Sequence, residues 1–247
     1  MTTDRASELR ALHVPGSPVV LPNVWDAASA RAVQDAGFPA VATSSAGVAR
    51  ALGYSDGEAT PVHEMMAAVA RVVRAVGVPV TADIERGYGL KPAELVERLL
   101  ATGAVGCNLE DSVPPRGGMV DVAEQADFLA EVRAAAGDAL VINARIDVYL
   151  HGTATRQEAV ARGRRYLEAG ADCLYPIGLD DGDEIEALVR EVTGRPVNVL
   201  FRPGTPDLAG LAGLGVARIS FGGGLYQAVH SYAKGLFATV REGHSPY

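Results

Sequence analysis

Two cysteines, Cys107 and Cys173, are all the thiol that 247 residues carry. So small a number supports no disulfide framework and suits a reduced compartment. Positive charge is also short. Twenty-two Lys and Arg face 30 Asp and Glu, a net charge of −8, which argues against electrostatic capture by nucleic acid or an anionic membrane. No run of about 18 apolar residues exists, so nothing is expected to span a bilayer. The opening MTTDRASELRALHVPG has no apolar signal-peptide core, and the expectation is a cytoplasmic protein. No GxGxxG follows the first β-type run, which removes support for a dinucleotide fold. The five histidines, His13, His63, His151, His230 and His244, are scattered without ligand spacing. No low-complexity stretch divides the chain, so residues 1–247 read as one domain.

What the chain does have is a repeated unit. Hydrophobic residues make up 48% of it, enough for a large core. Short apolar, β-branched runs recur at 19–24, 40–45, 78–85, 106–111, 140–147, 173–177, 196–201 and 218–223. Between them lie segments of helical spacing, such as DAASARAVQDAG, PVHEMMAAVARVVRAVG and RQEAVARGRRYLEAG, each closed by Gly. Pro61 and Pro92 suit helix starts. Strands alternating with helices demand parallel pairing, in an open doubly wound sheet or a closed (β/α)8 barrel. The count of eight and the near-even spacing favour the α/β class as a TIM-type barrel.

In such a barrel the active site lies at the C-terminal strand ends, and polar residues collect there. Asn23 and Asp26 follow the first run, Ser44 and Ser45 close the second, Asp83 and Glu85 the third. Asn108, Glu110 and Asp111 close the fourth, Asn143, Arg145 and Asp147 the fifth, and Asn198 lies on the seventh. Alternation puts Thr81, Asp83 and Glu85 on one face and Asn108 with Glu110 on one face of the next. Cys107 turns towards the helices. Asp83, Glu85 and Glu110 are then expected to converge, and three carboxylates repel unless protonated or neutralised. Oxygen-only ligands point to Mg²⁺ or Mn²⁺. The competing expectation is a salt-bridge ring with Arg86, Arg116 and Arg145, and Arg145 on its own could partner one acid.

These residues sit in PNVWDAASA, TSSAGVARALGYSDGE, TADIERGYG, GCNLEDS, INARIDVYL and NVLFRPGTPDLAGLAGLGVARISFGG. Six such pieces in this order resemble the phosphoenolpyruvate mutase/isocitrate lyase superfamily, from about Pro22 to Gly224. The resemblance implies a (β/α)8 barrel, usually a tetramer whose subunits exchange the last helix, here about 224–241. It implies Mg²⁺ and 2-oxo or 2-hydroxy acid substrates whose C–C or P–C bonds are broken or formed. Asp83 matches the acid nearest the metal. Glu85, where the family usually has Asp, and Glu110 match acids that hold it through water. Ser44, with the backbone N–H groups of Ser45, Ala46 and Gly47, matches the carboxylate site. Arg145 matches the substrate-gripping Arg, Asp56 an Asp beside the reacting bond, and Asn198 a polar residue of the seventh strand.

The departures narrow the expected activity. Lyases of this family carry a Cys-containing loop after the fourth strand. Here SVPPRGGMVD (112–121) has no Cys, His or Lys, and Arg116 is its one cation. The lyases' Glu after strand six is also missing, with Ile177 and Gly178 at YPIGL. Decarboxylation of an oxaloacetate-type acid needs the fewest groups and is preferred. Cleavage of a larger 2-oxo or 2-hydroxy acid needs another base. Rivals are a P–C bond enzyme, a non-catalytic 2-oxo acid binder, and a sugar-phosphate barrel using Gly222, Gly223 and Gly224 as a phosphate turn. The expected partners are a small carboxylic acid and copies of the same chain as a dimer or tetramer.

Overall fold

The computed structural model describes residues 2–115, 117–151 and 155–247. Nine strands are found among them: β1 (Val19–Leu21), β2 (Asn23–Val24), β3 (Val41–Thr43), β4 (Val80–Asp83), β5 (Gly106–Glu110), β6 (Val141–Ile146), β7 (Cys173–Pro176), β8 (Asn198–Leu200) and β9 (Arg218–Ser220). The helices are α1 (Thr2–Ala11), α2 (Ala27–Asp35), α3 (Ser45–Leu52), α4 (Val62–Ala75), α5 (Pro92–Thr102), α6 (Val122–Ala136), α7 (Arg156–Glu168), α8 (Gly182–Glu191), α9 (Leu208–Gly213) and α10 (Gly224–Arg241).

All strand pairs are parallel. Six strands run in the order β2-β3-β4-β5-β6-β7, and three in the order β1-β9-β8. The first apolar run is thus two strands rather than one. Pro22 has no N–H to give to a ladder, and the chain changes partner there, from β9 before it to β3 after it. Across the other seam Leu174 bridges Val197, and its N–H donates to the Pro196 carbonyl at 3.0 Å. Followed through these two seams, the strands keep chain order, as the (β/α)8 pattern requires. The strands are also shorter than the sequence runs, because their last residues turn out into loops.

Local chemistry explains the helix ends. Asp26 and Ser29 form a capping box on α2. Asp121, Thr155, Asp181 and Asp207 cap α6, α7, α8 and α9 through their side chains. Pro92 opens α5. Gly170, at φ 101°, turns the chain out of α7; Gly77 after α4 has no positive φ, and α4 ends instead on extended Val76.

Two layers of packing follow. Ala82, Cys107, Leu109, Ile142, Ala144 and Leu174 face outward into the main core with α4 to α8. Ala6 and Leu9 of α1 pack on Val19, Leu21, Ala40, Val105 and Val141, closing the N-terminal end of the strands; burying Leu9 contributes about 2 kcal/mol. Arg10 pins α1 to Asp172 and to the Leu140 carbonyl. No described helix is long and apolar enough to cross a membrane.

His13 lies just beyond α1, with Nδ1 2.8 Å from the Leu9 carbonyl and Nε2 buried without a partner. Burial first, and then the charge of Arg218, pushes its pKa down to about 4. The unfolded chain therefore takes up a proton near pH 6.5 that the folded chain refuses until about pH 4. This group's contribution is complete above about pH 6.5 and is lost as pH falls to 4, up to ~3 kcal/mol. Buried carboxylates act in the opposite sense and are common to parent and variant. Urea unfolding of parent and His13→Gln across pH 4–7 is expected to show the parent's relative advantage growing with pH and levelling off near neutrality.

Candidate active site

At the C-terminal ends of β4, β5 and β6 the ladder sets Asp83 opposite Asn108 and Glu110 opposite Arg145. The cavity above them has a volume of about 420 Å³. Asp56, Glu85, Glu110 and Arg145 line it, with Ser112, Asp147 and His151 beside them.

Arg145 is held as a fork. Its Nε and Nη2 donate to the two oxygens of Asp147 at 2.7 and 2.8 Å. Nη1 reaches Glu110 Oε2 at 2.6 Å. Asp147 is itself fixed: its N–H donates to Asp111 Oδ1 at 2.8 Å, and Ser112 Oγ donates to its Oδ2 at 2.7 Å. Fully buried Asp111 also accepts from Tyr166 Oη at 2.7 Å and Arg162 Nη1 at 3.3 Å. Arg145 is therefore paired with two acids, close to the expectation that it partners one of them. Arg86 instead pairs with Glu124 and does not join a ring around the acids; Arg116 lies outside the described residues.

Asp83 sits on the N-terminus of α3. Ser45 donates to its Oδ2 from Oγ at 3.0 Å and from N–H at 3.4 Å. Ser44 is the N-cap rather than a strand residue, and its Oγ accepts from Gly47 N–H at 3.2 Å. Ala46 lies between them in the first turn of α3. Ser44, Ser45, Ala46 and Gly47 thus form one helix start beside Asp83.

Glu85 departs from the alternation expected of it. The strand has ended at Asp83, and Glu85 has φ 52°, so the alternating rule no longer governs it. Its Oε2 accepts from Gly57 and Glu58 N–H at 2.8 and 2.7 Å, and its Oε1 from Tyr88 Oη at 2.7 Å. The longer Glu side chain thereby fastens the loop carrying Asp56. Asn198 is fully buried, accepts from Ser220 Oγ at 3.2 Å, and does not line the cavity.

The electrostatics are strained. Burial, above all, raises the pKa of Asp83 and Glu110, against the pull of Arg145. Burial pushes Glu85 up to about 7, with Asp56 and Asp83 adding to the rise. Among the described residues no three acidic, His or Cys groups stand in a ready chelating cluster. The donor chemistry nevertheless fits a hard divalent cation that keeps several waters: oxygen-only, over-supplied with negative charge, and with Asp83 Oδ1 touched only by the distant Glu85 N–H at 3.5 Å. Glu85, with both oxygens engaged, fits such an ion through water rather than directly.

The Gly222–Gly224 turn is committed elsewhere. Asn23 Oδ1 accepts from Phe221 and Gly222 N–H at 2.7 and 2.9 Å, and Gly224 N–H donates to the Phe221 carbonyl at 3.0 Å. Those amides are not free to cradle a phosphate. Cys107 is buried in the outward core, and burial pushes its thiol up to about 12.

Sequence reasoning passed over Ser112, His151 and Tyr88. Ser112 and His151 belong to loops, where no periodicity points at the cavity. Asp147 was placed on the face of Arg145 without a role, although a carboxylate two residues after a strand-end Arg is the signal for the fork.

A family model described as phosphoenolpyruvate phosphomutase matches residues 9–241. The chain belongs to that family. A protein of Mycobacterium tuberculosis (strain ATCC 25618 / H37Rv), itself uncharacterised, is 35% identical over 226 residues, 89% of this chain and 85% of its own. Oxaloacetate decarboxylase 1 of Pseudomonas fluorescens (strain Pf0-1) is 29% identical, over 89% of this chain and 78% of its own. Among solved structures, a candidate phosphonomutase from Burkholderia cenocepacia J2315 superposes with a TM-score of 0.90 at 43% identity, covering 95% of this chain and 99% of its own. Phosphonopyruvate hydrolase in complex with oxalate and Mg²⁺ superposes at 0.87 with 25% identity, covering 97% and 88%. Proteins similar to this chain thus include a decarboxylase and a phosphonopyruvate hydrolase.

The Asp147 fork can be tested by stability. Asp147→Asn keeps the size but offers Arg145 one acceptor oxygen where it had two, in a buried pair, and is expected to cost about 3 kcal/mol. Ser112→Ala removes one hydroxyl from the same carboxylate and is expected to cost about 1 kcal/mol. Equilibrium urea unfolding measures both.

Proposed function

We propose that this chain cleaves a C–C bond of a 2-oxo or 2-hydroxy dicarboxylic acid through an enolate, with oxaloacetate-type decarboxylation the preferred reaction. The observation that carries the reading is the cavity itself, lined by a pre-paired Arg145 with Asp56, Glu85 and Glu110, and with Asp83 beside it at the end of β4 and the start of α3. Arg145 attracts a substrate carboxylate with its permanent charge and takes it at the Nη1 edge that Glu110 occupies, while Nε and Nη2 stay on Asp147. The start of α3, with Ser44, Ser45, Ala46 and Gly47, receives a carboxylate at its positive end, the Ser45 and Gly47 N–H groups leaving Asp83 and Ser44 Oγ to do so. Asp83, with Glu85 and Glu110 through water, would hold Mg²⁺, or Mn²⁺ in its place. Such an ion, when bound, supplies an electron sink for the 2-oxo group. Asp56 stands beside the breaking bond. Asn198, buried below, supports the strand ends rather than touching substrate.

A second reading has its own support. The 43% identity to the candidate phosphonomutase favours P–C chemistry on phosphonopyruvate. Against it, the 112–121 loop has no Lys or Asn.

We further propose that the chain is a homo-oligomer, dimer or tetramer, assembled through α10. None of that helix's 18 residues is buried, and Val229, Tyr232, Phe237 and Val240 are exposed. Light scattering is expected to give a multiple of 25.7 kDa; a monomer at micromolar concentration would reject the assembly.

The deciding assay is pyruvate release from a panel of 2-oxo and 2-hydroxy diacids and phosphonopyruvate, with Mg²⁺ and with chelator, after subtracting metal-catalysed decay of oxaloacetate. Turnover of a diacid, abolished by chelator and reduced at least about 100-fold by Asp83→Ala, is expected. Phosphate release from phosphonopyruvate with no diacid turned over would replace this reading with the P–C one. Binding without turnover of any compound would leave a binding protein.

A further inference from the structure

The enolate left when a bond to C3 breaks must gain a proton, and the usual sources are missing. The loop after β5 has no Cys, His or Lys. Cys107 and Cys173 are both buried away from the cavity. Tyr88 gives its hydroxyl proton to Glu85, whose two oxygens already accept three hydrogen bonds. Glu110 is ion-paired with Arg145.

One group on the cavity wall is unassigned. His151 follows the short turn Val148–Leu150 after β6 and lines the cavity with Ser112 and Asp147. Its Nε2 lies 3.3 Å from Ser112 Oγ, whose proton goes to Asp147 Oδ2 at 2.7 Å. A hydroxyl has one proton to give. With that proton on Asp147, Nε2 meets Ser112 Oγ as a donor, so the ring carries a proton on the nitrogen beside Ser112. The chain of contacts runs His151 to Ser112 to Asp147 to Arg145, and so ties the imidazole to the residue that grips the substrate.

We propose that His151 is the proton donor to the enolate, with Ser112 holding its Nε2–H at the cavity. This rests on the enolate chemistry proposed above. In the step the ring starts protonated on both nitrogens, the Nε2–H bond breaks with its electron pair staying on Nε2, and the ring is left neutral with its remaining proton on Nδ1. The enolate π pair forms the new C3–H bond, and the carbonyl re-forms at C2. The ring is reloaded from solvent, to which His151 is exposed. In reverse, neutral His151 removes a methyl proton from pyruvate, which gives a readout that needs no cleavage.

The experiment follows hydrogen–deuterium exchange into the pyruvate methyl group by NMR in D₂O with Mg²⁺, for the parent, His151→Gln, Ser112→Ala and Asp56→Asn. Oxalate binding by calorimetry and urea unfolding run alongside on each. The parent is expected to exchange. His151→Gln should lose about 100-fold in exchange rate while its oxalate affinity stays within about threefold and its unfolding midpoint is unchanged. Ser112→Ala should lose less. No exchange by the parent, equal exchange by His151→Gln, loss confined to Asp56→Asn, or oxalate affinity falling in step with exchange would each overturn the assignment. Exchange that depends on His151, in a protein that cleaves no diacid, would uphold His151 and reject the C–C cleavage reading instead.

Discussion

The fork between Arg145 and Asp147 is the contact on which the rest of the site depends. A guanidinium at a strand end, 14% exposed at its side chain, is costly to bury alone. Asp147 offsets that cost with two parallel hydrogen bonds, and Glu110 adds a third partner. Asp147 can do this because Asp111 captures its N–H while itself held by Tyr166 and Arg162. The result is a cation whose position is set by α7 and β5 as much as by its own strand. A charge held in place before substrate arrives has no reorganisation left to undergo.

The same logic extends into the barrel below. Arg218 is 1% exposed and bonds Asn108 Oδ1 through Nη2 at 3.2 Å, while Asn143 Nδ2 donates to the same oxygen at 2.8 Å. Asn108, Asn143, Asn198 and Arg218 thus make the middle of the inward face polar, above the apolar layer of Val105 and Val141 under α1, while Cys107, Leu109, Ile142 and Ala144 face outward. That division lets the outer face act as the adhesive for the helices, and leaves the inner face to carry charge up towards the acids. Arg218 lies within electrostatic reach of Asp83 and His13. One buried cation thus links the closed end of the barrel, under α1, with the acid site at its mouth.

How far this was legible in the sequence depends on which rule applied at each residue. Cys107, Leu109, Ile142 and Ala144 obey strand alternation, and all face the helices as their positions predict. The strand ends of Asp83, Glu110 and Arg145 were legible for the same reason. Glu85 was not, since a positive φ just past the strand re-aims it at the Gly57–Glu58 amides. Pro22 was overlooked as the break between two ladders because a run of apolar residues hides a missing N–H. His151 was dismissed on spacing, but spacing detects only ligands that share one element. Its hydrogen bond to Ser112 joins two loops 39 positions apart, a juxtaposition that the parallel pairing of β5 with β6 creates.

Asn23 shows how one side chain can separate functions within a shared barrel architecture. A Gly-rich turn after the last strand, leading into a helix, has the shape of a phosphate cup. Here Asn23 reaches across from β2, placing its Oδ1 against the Phe221 and Gly222 amides and its Nδ2 on the Thr43 carbonyl. The amide oxygen takes the place a phosphate oxygen would occupy, and the turn becomes a brace between β2, β3 and α10. Bracing matters there because β2 is two residues long and Pro22 interrupts the ladder beside it. The anion-binding capacity of the barrel mouth is thus withdrawn from the β9 side. It is left at α3 and Arg145, on the same side as the acids.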